Sequence, residues 1–585
     1  MPYGPPPSRR RSAATSGPGL AVALALATAA CYAGESAVDG DDTTTVAAAT
    51  AVDPTPTTSA GEDTGEDTGE DTGAPAKPFM PGPPVLPRLT QRQYLNSIEA
   101  LLGPGLPVPP LEPDTNPYLF FTIGAASTTV SELGVQQYEE AAELFTGLVF
   151  ADAARREALV GCAPAAPGDA CVTDFIQRFG RRAYRRPLHT DEQARWLLMA
   201  TELADGDAWQ GLRRAVQGML QSPHFLYRVE LGEPDPMDPT RLRYTGHEMA
   251  SRLAFLLWNT TPDDVLLDAA ANGDLLTEAG LRGETERLLA DPRARTALRD
   301  FFAQFLDLGR LDGVTRDPVR YPLFSPTMID SMRTEVTLLV EDLVYRQQGD
   351  IRSIFSTRRT FVNSELAALY GLQAPGATPI TFVPVELPED GPRAGILTLG
   401  AFLTMNAHET ENSPTSRGKY VRTRVLCQDV PPPPPDVDLM LDPEQAEGKT
   451  LRERLEQHRS DPKCAGCHSF VDPPGFLFEH FNPIGAWQDL DNGFPIDSSG
   501  DLDGKPLADA RGLADLLADD KRVGRCIVTQ LYRHAIGRRD VSSEWPALDE
   551  VAADFAGEGY RFSELLRILV TSDVFRTVAE EDIDP

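Results

Sequence analysis

The segment CAGCH contains two cysteines three positions apart, and a histidine directly follows the second cysteine. In c-type haem attachment, two thiols with this spacing add to the haem vinyl groups, and the adjacent histidine binds the iron. The sequence therefore predicts haem c as a cofactor. Its binding residues are Cys464, Cys467 and His468, with His468 as the proximal iron ligand.

A bound haem needs an apolar environment, and a proximal histidine needs an acceptor for its second ring nitrogen. A backbone carbonyl near Pro473 or Pro474 is expected to accept from His468. Aromatic residues that follow CAGCH closely are expected to cover the macrocycle: Phe470, Phe476, Phe478, Phe481 and Trp487.

Two other uses of the cysteines stay open at this point. Zinc would be held by Cys464, Cys467 and His480 together with His458 or His468, although no second histidine follows His480 within five residues. A structural disulfide is the simplest alternative. A thioredoxin-like dithiol needs a strand–helix–strand frame, whereas the surrounding sequence is rich in proline and glycine.

The sixth position of the iron has no obvious ligand, because the chain contains no methionine after Met440. His408 is the first candidate for a distal ligand, although a solvated loop position explains that residue more simply. Met405 and His480 are the next candidates, and His534 is expected to be a packing or surface residue. An open site would favour small-molecule or peroxide chemistry, whereas two strong axial ligands favour electron transfer.

The seven cysteines also predict disulfides. One lipidated cysteine and two haem cysteines leave four, and an even remainder in an oxidising compartment indicates two bridges. Cys162 and Cys171 are close in sequence and form one expected pair. Cys427 and Cys526 form the other, which would join the start of a proline run to the C-terminal helices.

The N-terminus is predicted to direct export. Arginines 9–11 precede the apolar run GLAVALALATAAC, which is too short to cross a membrane and is typical of a signal peptide. The small residues before Cys31 resemble a lipobox, although Thr28 stands where leucine is usual. Lipidation of Cys31 would hold the exported protein in the periplasm or at the cell surface, attached to a membrane through the lipid anchor only. An ordinary secretory signal is the alternative.

The composition limits the other classes of function. The net charge of −33 argues against nucleic-acid binding, because nothing would neutralise the phosphates. The repeat GEDTGEDTGEDTG lies in a segment with few large apolar residues, so residues 32–86 are predicted to be a disordered acidic linker. The length of 585 residues is too great for a single core.

Helical spacing of apolar residues dominates the chain from residue 88 onward, as in LTQRQYLNSIEALLG, where Thr90 and Gly103 are the expected first and last caps. Strand-like stretches are few, namely ITFVPVEL and FPIDSSGDLDG. The predicted fold class is mainly α, with several helical domains in series and a small cytochrome c-like CxxCH module near the C-terminus. The predicted segments are a signal peptide with a possible lipobox at 1–31, the linker at 32–86, helical domains at 87–160, 161–236 and 237–372, the proline run and CxxCH module at 373–488, and a C-terminal helical domain at 489–585.

Several stretches together resemble a known family: RLTQRQYLNSIEALLG, FGRRAYRRPLHTDEQ, EMASRLAFLLWNTTPDD, SPTSRGKYVRTRVLC before the proline run, CAGCHSFVDPPGFLFEHFNPIGAW and LYRHAIGR. They are similar, in the same order, to the secreted multi-domain proteins with a planctomycete cytochrome c-like segment. The resemblance covers nearly everything after residue 86. It implies a helical, exported protein with covalent haem, and it implies no substrate because the family's domains are largely uncharacterised.

Two classes of function follow. The first is a membrane-tethered c-type haem protein that acts in electron transfer or haem-dependent redox chemistry with an unknown redox partner. The alternative is a non-enzymatic exported protein that binds or scaffolds a polysaccharide or a protein partner, with a structural disulfide or zinc at CAGCH.

Other motifs add no catalytic constellation, so catalytic residues remain unassigned. No GxSxG, HExxH, Walker or GxGxxG motif occurs in a suitable setting. SGDLDG resembles a calcium loop at Asp501, Asp503 and Gly504, but the terminal glutamate is missing. A tight turn is expected there instead.

Overall fold

The computed structural model describes residues 78–431, 449–459 and 462–580. The predicted signal peptide, the lipidation site at Cys31 and most of the proline run lie outside these residues. Within the described part, no helix is both long enough and apolar enough to cross a membrane. The fold is mainly helical, as the sequence predicts.

The first group of helices builds its own apolar core. Thr90 caps the first helix, its side chain accepting from the backbone N–H of Gln93, and Gly103 ends the helix with a positive φ, as the sequence predicts. The helices are α1 (Gln91–Leu102), α2 (Phe121–Ser127), α3 (Glu132–Ala151), α4 (Ala153–Val160), α5 (Ala170–Tyr184), α6 (Thr190–Glu202), α7 (Ala208–Gln221) and α8 (Pro223–Leu226). Of these, α2 is the exception, because its Ile123 packs in the larger core described next.

A second, larger core extends through the rest of the chain. Its first helices are α9 (Gly246–Leu257), α10 (Asp264–Ala271), α11 (Glu278–Ala290), α12 (Pro292–Phe305), α13 (Pro326–Glu341), α14 (Ser364–Tyr370) and α15 (Gly400–Met405). The later helices are α16 (Pro414–Tyr420), α17 (Leu451–Arg459), α18 (Pro462–Phe476), α19 (Ala510–Asp519), α20 (Lys521–Ile536), α21 (Trp545–Gly557), α22 (Phe562–Thr571) and α23 (Asp573–Arg576). Leu451 and Leu455 of α17 and Phe476 of α18 form a separate small cluster.

Short irregular helices connect these elements. Two of them are π-helical, Asp342–Gln347 directly after α13 and Val421–Val425 directly after α16. The 3₁₀ segments are Asp274–Leu276, Leu308–Leu311, Ile351–Phe355, Ile396–Thr398 and Ser542–Glu544.

The strands are short and antiparallel. β1 (Glu233–Pro234), β2 (Leu242–Arg243) and β9 (Thr577–Val578) form a three-stranded sheet in that order, with Leu242 opposite Val578. The other strands form three hairpins: β3 (Arg359–Val362) with β4 (Val383–Glu386), β5 (Leu490–Asp491) with β6 (Phe494–Pro495), and β7 (Gly500–Leu502) with β8 (Lys505–Leu507). Both strand-like stretches of the sequence therefore contain strands.

The SGDLDG segment forms the turn of the β7–β8 hairpin. Asp503 and Gly504 both have positive φ angles, of 55° and 73°, which aspartate and glycine tolerate in a two-residue hairpin loop. The tight turn expected from the sequence is confirmed.

Both predicted disulfides are present. Cys162 and Cys171 are joined near the start of α5, with their Cα atoms 6.0 Å apart. Cys427 and Cys526 are joined with Cα atoms 5.3 Å apart, so the chain that follows the π-helical segment after α16 is tied to α20. Disulfides of this kind are typical of oxidising, exported compartments.

The end of the predicted linker belongs to the folded body. The backbone N–H of Met80 donates to the carbonyl of Ser543, at 3.1 Å, and Ala579 donates to Gly82, at 2.9 Å. Phe79 packs against the larger core. Residues 78–86 are therefore held by the C-terminal segment, whereas the sequence places them in a disordered linker.

Candidate functional site

The CAGCH residues lie in the first half of α18. Cys467 and His468 follow Cys464 by three and four positions, so the three side chains lie on one face of the helix. Cys464 is buried, whereas Cys467 and His468 are partly exposed. Within the described residues neither cysteine is in a disulfide. The two thiols and the imidazole are thus presented together by one rigid element.

A buried carboxylate holds the His468 ring. Nδ1 of His468 lies 2.9 Å and 3.1 Å from the two carboxylate oxygens of Asp472, one helical turn further along α18. The Asp472 side chain is fully buried, and the Thr415 hydroxyl donates to its Oδ1 at 2.8 Å. Because Nδ1 is engaged by the carboxylate, Nε2 is the nitrogen that suits a metal.

This geometry corrects one expectation. The sequence predicts a backbone carbonyl near Pro473 or Pro474 as the acceptor for His468, and the acceptor is the Asp472 carboxylate instead. The Pro473 carbonyl faces the backbone of Gly500, where an added Cβ would lie 2.1 Å from the oxygen.

Helix α18 continues through two prolines because a side chain replaces a lost backbone bond. Pro474 has no N–H to donate to the carbonyl of Phe470. Nε of the buried Arg422 donates to that carbonyl at 3.1 Å, and its guanidinium lies 4.0 Å from the centre of the Phe470 ring. The helix therefore continues past Asp472 and ends at Phe476.

Two glycines let α16 and α18 touch backbone to backbone. A Cβ on Gly418 would lie 1.7 Å from the Val471 carbonyl oxygen, and a Cβ on Gly475 would lie 1.9 Å from that of Pro414. No larger residue fits at either position unless the helices separate. This close packing brings Thr415 of α16 to the Asp472 carboxylate.

Buried arginines hold the segment after α18. Arg316, Arg393 and Arg417 each donate to backbone carbonyls within residues 478–485, where no helix is available to use those carbonyls. The contacts are Arg316 Nε to Pro483 at 3.1 Å, Arg393 Nη2 to Gly485, and Arg417 Nη1 to Phe478 at 2.7 Å. The chain on the carboxyl side of CAGCH is therefore fixed to the helical body.

Most of the aromatic side chains that were expected to cover the haem are packed inside the protein instead. Phe476, Phe478 and Phe481 are almost fully buried, and the Phe478 ring lies 5.2 Å from the ring of Phe402 in the larger core. Trp487 is 44% exposed and stacks on the His480 ring at 4.4 Å. The three buried rings stabilise the fold here, rather than lining a surface beside CAGCH.

The remaining histidines differ in their surroundings. His408 is exposed, and its backbone N–H donates to the carbonyl of Glu411 in a turn. Nδ1 of His480 pairs with the Gln488 carbonyl at 2.8 Å. His534 is buried against Phe120 and Phe301, and its burial lowers its pKa to about 4. His534 is thus a packing residue, and ligation of iron by His408 stays a prediction.

The zinc alternative is not assembled in the described part of the chain. There, no three His, Cys, Asp or Glu side chains lie together in a way that could hold a metal ion. Cys464, Cys467 and His480 therefore do not form a ligand set among these residues.

Asp472 and Thr415 are the site residues that the sequence analysis missed. The signal for Asp472 was present, because an aspartate four residues after a histidine faces it on a helix. Thr415 carried no such signal, since its contact depends on the packing of α16 against α18.

Five family models match the chain in succession, and each describes a protein of unknown function. The CAGCH segment lies inside the match named PSCyt3. The matches are DUF1587 at residues 88–151, DUF1595 at 171–230, DUF1592 at 244–372, DUF1588 (PSCyt3) at 393–491 and DUF1585 at 503–575.

The chain belongs to the multi-domain proteins built from planctomycete cytochrome c-like domain families. The resemblance seen in the sequence is therefore confirmed. No curated protein and no solved structure matches the chain. Membership in this family supports a haem-related function in general terms and assigns no reaction.

Proposed function

We propose that this protein is an exported c-type haem protein that acts in electron transfer or haem-dependent redox chemistry. Haem would be joined by thioethers to Cys464 and Cys467, with His468 as the proximal iron ligand. The observation that carries the proposal is the arrangement on α18: two thiols and a histidine lie on one helix face, and Nδ1 of the histidine is held by a buried carboxylate.

The donor set fits the chemistry of haem attachment. Thioether formation needs reduced thiols at this spacing, and iron ligation needs an imidazole that presents one defined nitrogen. Among the described residues, no atom lies within 4 Å of a Cβ built on Gly466, between the two cysteines. These features support a planar group lying against the first half of α18.

Different residues of α18 and α16 would attach the haem, bind its iron and orient the iron ligand. The thiols of Cys464 and Cys467 anchor the group, and His468 supplies one axial nitrogen. Asp472 fixes the orientation of the imidazole, while the glycine contact between α16 and α18 fixes Asp472. A bound haem would supply one-electron chemistry at its iron.

The compartment is part of the proposal. The two disulfides are typical of an exported protein, and bacterial haem c is attached outside the cytoplasm. We further propose that Cys31 carries the lipid anchor, as its lipobox-like context suggests.

A scaffold without haem is the second candidate, and the burial of the aromatic residues favours it. Phe476, Phe478 and Phe481 are already covered by protein, so a haem would have to find its apolar cover elsewhere. In that case CAGCH would hold a structural disulfide or zinc, and the protein would bind a polysaccharide or a protein partner.

Covalent haem is tested by expression in an exporting host with a haem-attachment system. The protein is denatured and extracted with acidic acetone, and the alkaline pyridine spectrum of the pellet is recorded. Retention of the haem bands in the wild type, and their loss in Cys464→Ala/Cys467→Ala, is the expected result. Cys162→Ala/Cys171→Ala is the matched control, which should keep its haem. A colourless wild-type pellet would leave the scaffold as the better account.

The sixth position is tested in the same preparation. Low-spin ferric haem that becomes high-spin in His408→Ala would assign His408 as the distal ligand. Low-spin haem that persists in His408→Ala would exclude it, and high-spin haem in the wild type would exclude ligation by two histidines.

A further inference from the structure

We propose that Asp472 is a positioning residue that lowers the reduction potential of the haem iron by acting through His468. The inference rests on the proposed function, because it concerns the iron that His468 would bind. It goes further than attachment, since it states which side chain sets the potential and in which direction.

The geometry singles out Asp472 among the acids of this very acidic chain. Both of its carboxylate oxygens lie within hydrogen-bonding distance of Nδ1 of His468, and the side chain is fully buried. Most carboxylates among the described residues face solvent, where screening weakens any effect on a neighbour. The charge of a buried carboxylate that is hydrogen-bonded to an iron ligand is screened much less.

The physical effect has a definite sign. A carboxylate that accepts from Nδ1–H draws the proton toward itself and makes the imidazole a more basic ligand. A more basic ligand and an added negative charge both stabilise Fe(III) relative to Fe(II). The one-electron Fe(III)/Fe(II) couple therefore has a lower potential than the same module would have with a neutral carbonyl acceptor.

Thr415 offers a second, independent way to change the contact between Asp472 and His468. Its hydroxyl donates to Asp472 Oδ1 at 2.8 Å and so withdraws part of the negative charge from the carboxylate. The hydroxyl is held in place by the glycine packing between α16 and α18. Removal of the Asp472 charge should raise the potential, whereas removal of the Thr415 hydroxyl should lower it.

The test is a spectroelectrochemical titration of the full-length haem protein, in which a mediator-coupled electrode supplies the electron. Asp472→Asn is expected to shift the Fe(III)/Fe(II) equilibrium toward Fe(II) by about tenfold, a rise of about 59 mV for one electron. Thr415→Val is expected to shift it in the opposite direction by less. Asp489→Asn, which removes an exposed carboxylate on the segment after α18, is the charge-matched control and should leave the potential unchanged.

The outcomes are distinct. The pyridine spectrum of the wild type is recorded first, and an absence of haem would overturn both the proposed function and this inference. If haem is present, an unchanged potential in Asp472→Asn, or an equal shift in Asp489→Asn, would overturn the inference alone. If Asp472→Asn does not fold, Thr415→Val decides: a fall in potential supports the role of Asp472, and a rise or no change overturns it.

Discussion

The two halves of α18 are built differently. The first half, residues 464–468, carries the thiols and the imidazole and is partly exposed, and no atom of the described residues lies within 4 Å of a Cβ built on Gly466. The second half, residues 471–476, is buried and touches α16 backbone to backbone. We infer from this contrast that the buried second half of the helix positions the chemical groups of the first half. Asp472 is the residue through which it does so.

Two histidines show the same contrast. His468 is partly exposed and faces a buried carboxylate, whereas His534 is enclosed by aromatic rings, and its Nδ1 has no hydrogen-bond partner within the described residues. Burial alone lowers the pKa of His534 to about 4, so that ring stays neutral and packs. The two histidines therefore differ in their partners: His468 has a carboxylate, whereas His534 has aromatic rings.

The largest expected effect comes from removing the disulfide that joins the chain after α16 to α20. Cys427 and Cys526 are 99 residues apart, and closing a loop of that length contributes about 4.7 kcal/mol in the chain-entropy model. We expect Cys427→Ala/Cys526→Ala to lower the free energy of unfolding by about that amount in a urea titration. The matched pair Cys162→Ala/Cys171→Ala, with a separation of 9, should cost about 2.6 kcal/mol in the same model. Equal losses would show that loop length does not govern the difference.

A methyl group added at the contact between α16 and α18 and one added at the first half of α18 should have opposite effects on stability. Gly418→Ala places a Cβ 1.7 Å from a backbone oxygen of α18, and overpacking of this kind costs about 3 kcal/mol. Gly466→Ala meets no atom of the described residues, and alanine in a helix interior should stabilise the haem-free chain by about 0.5 to 1 kcal/mol. Unfolding of both variants by urea checks the pair. A tolerated Gly418→Ala would contradict the account of how α16 supports α18.

The free energy of unfolding should also depend on pH, through a buried carboxyl group in the segment after α18. Burial raises the pKa of Glu479 to about 7, although the charge of Arg417 opposes the shift. The folded chain therefore keeps a proton that the unfolded chain releases near its ordinary pKa of 4.5, so stability falls as the pH rises from about 4.5 to 7. Glu479→Gln should remove this part of the fall.

The measurement for Glu479 is the free energy of unfolding of wild type and variant at several pH values between 4.5 and 8. Only part of the slope should disappear, because burial also raises the pKa of Glu335 to about 7, and that residue remains in the variant. Parallel curves for the two proteins would show that Glu479 does not titrate in this range.

The parts that the sequence predicted are those decided by local chemistry. The Thr90 cap, the Gly103 stop and the Asp503–Gly504 turn each depend on a few adjacent residues. The pairing of Cys427 with Cys526 followed from counting rather than from geometry.

The missed parts depend on packing between distant segments. The acceptor for His468 was misassigned because Pro473 and Pro474 suggest a helix end, whereas Arg422 allows the helix to continue. The aromatic run suggested a haem cover because a sequence does not show which rings face the core. The buried arginines that hold residues 478–485 had no local signal at all.

The central claim is that the first half of α18 carries covalent haem, and peptide mass spectrometry tests it most directly. The exported protein is digested with trypsin without reduction, and the fragment containing Cys464 and Cys467 is weighed after treatment with iodoacetamide. We predict that this fragment is heavier by one haem and takes up no alkylating group. A fragment of unmodified mass with two alkylated cysteines, or with the two cysteines joined in a disulfide, would contradict the account.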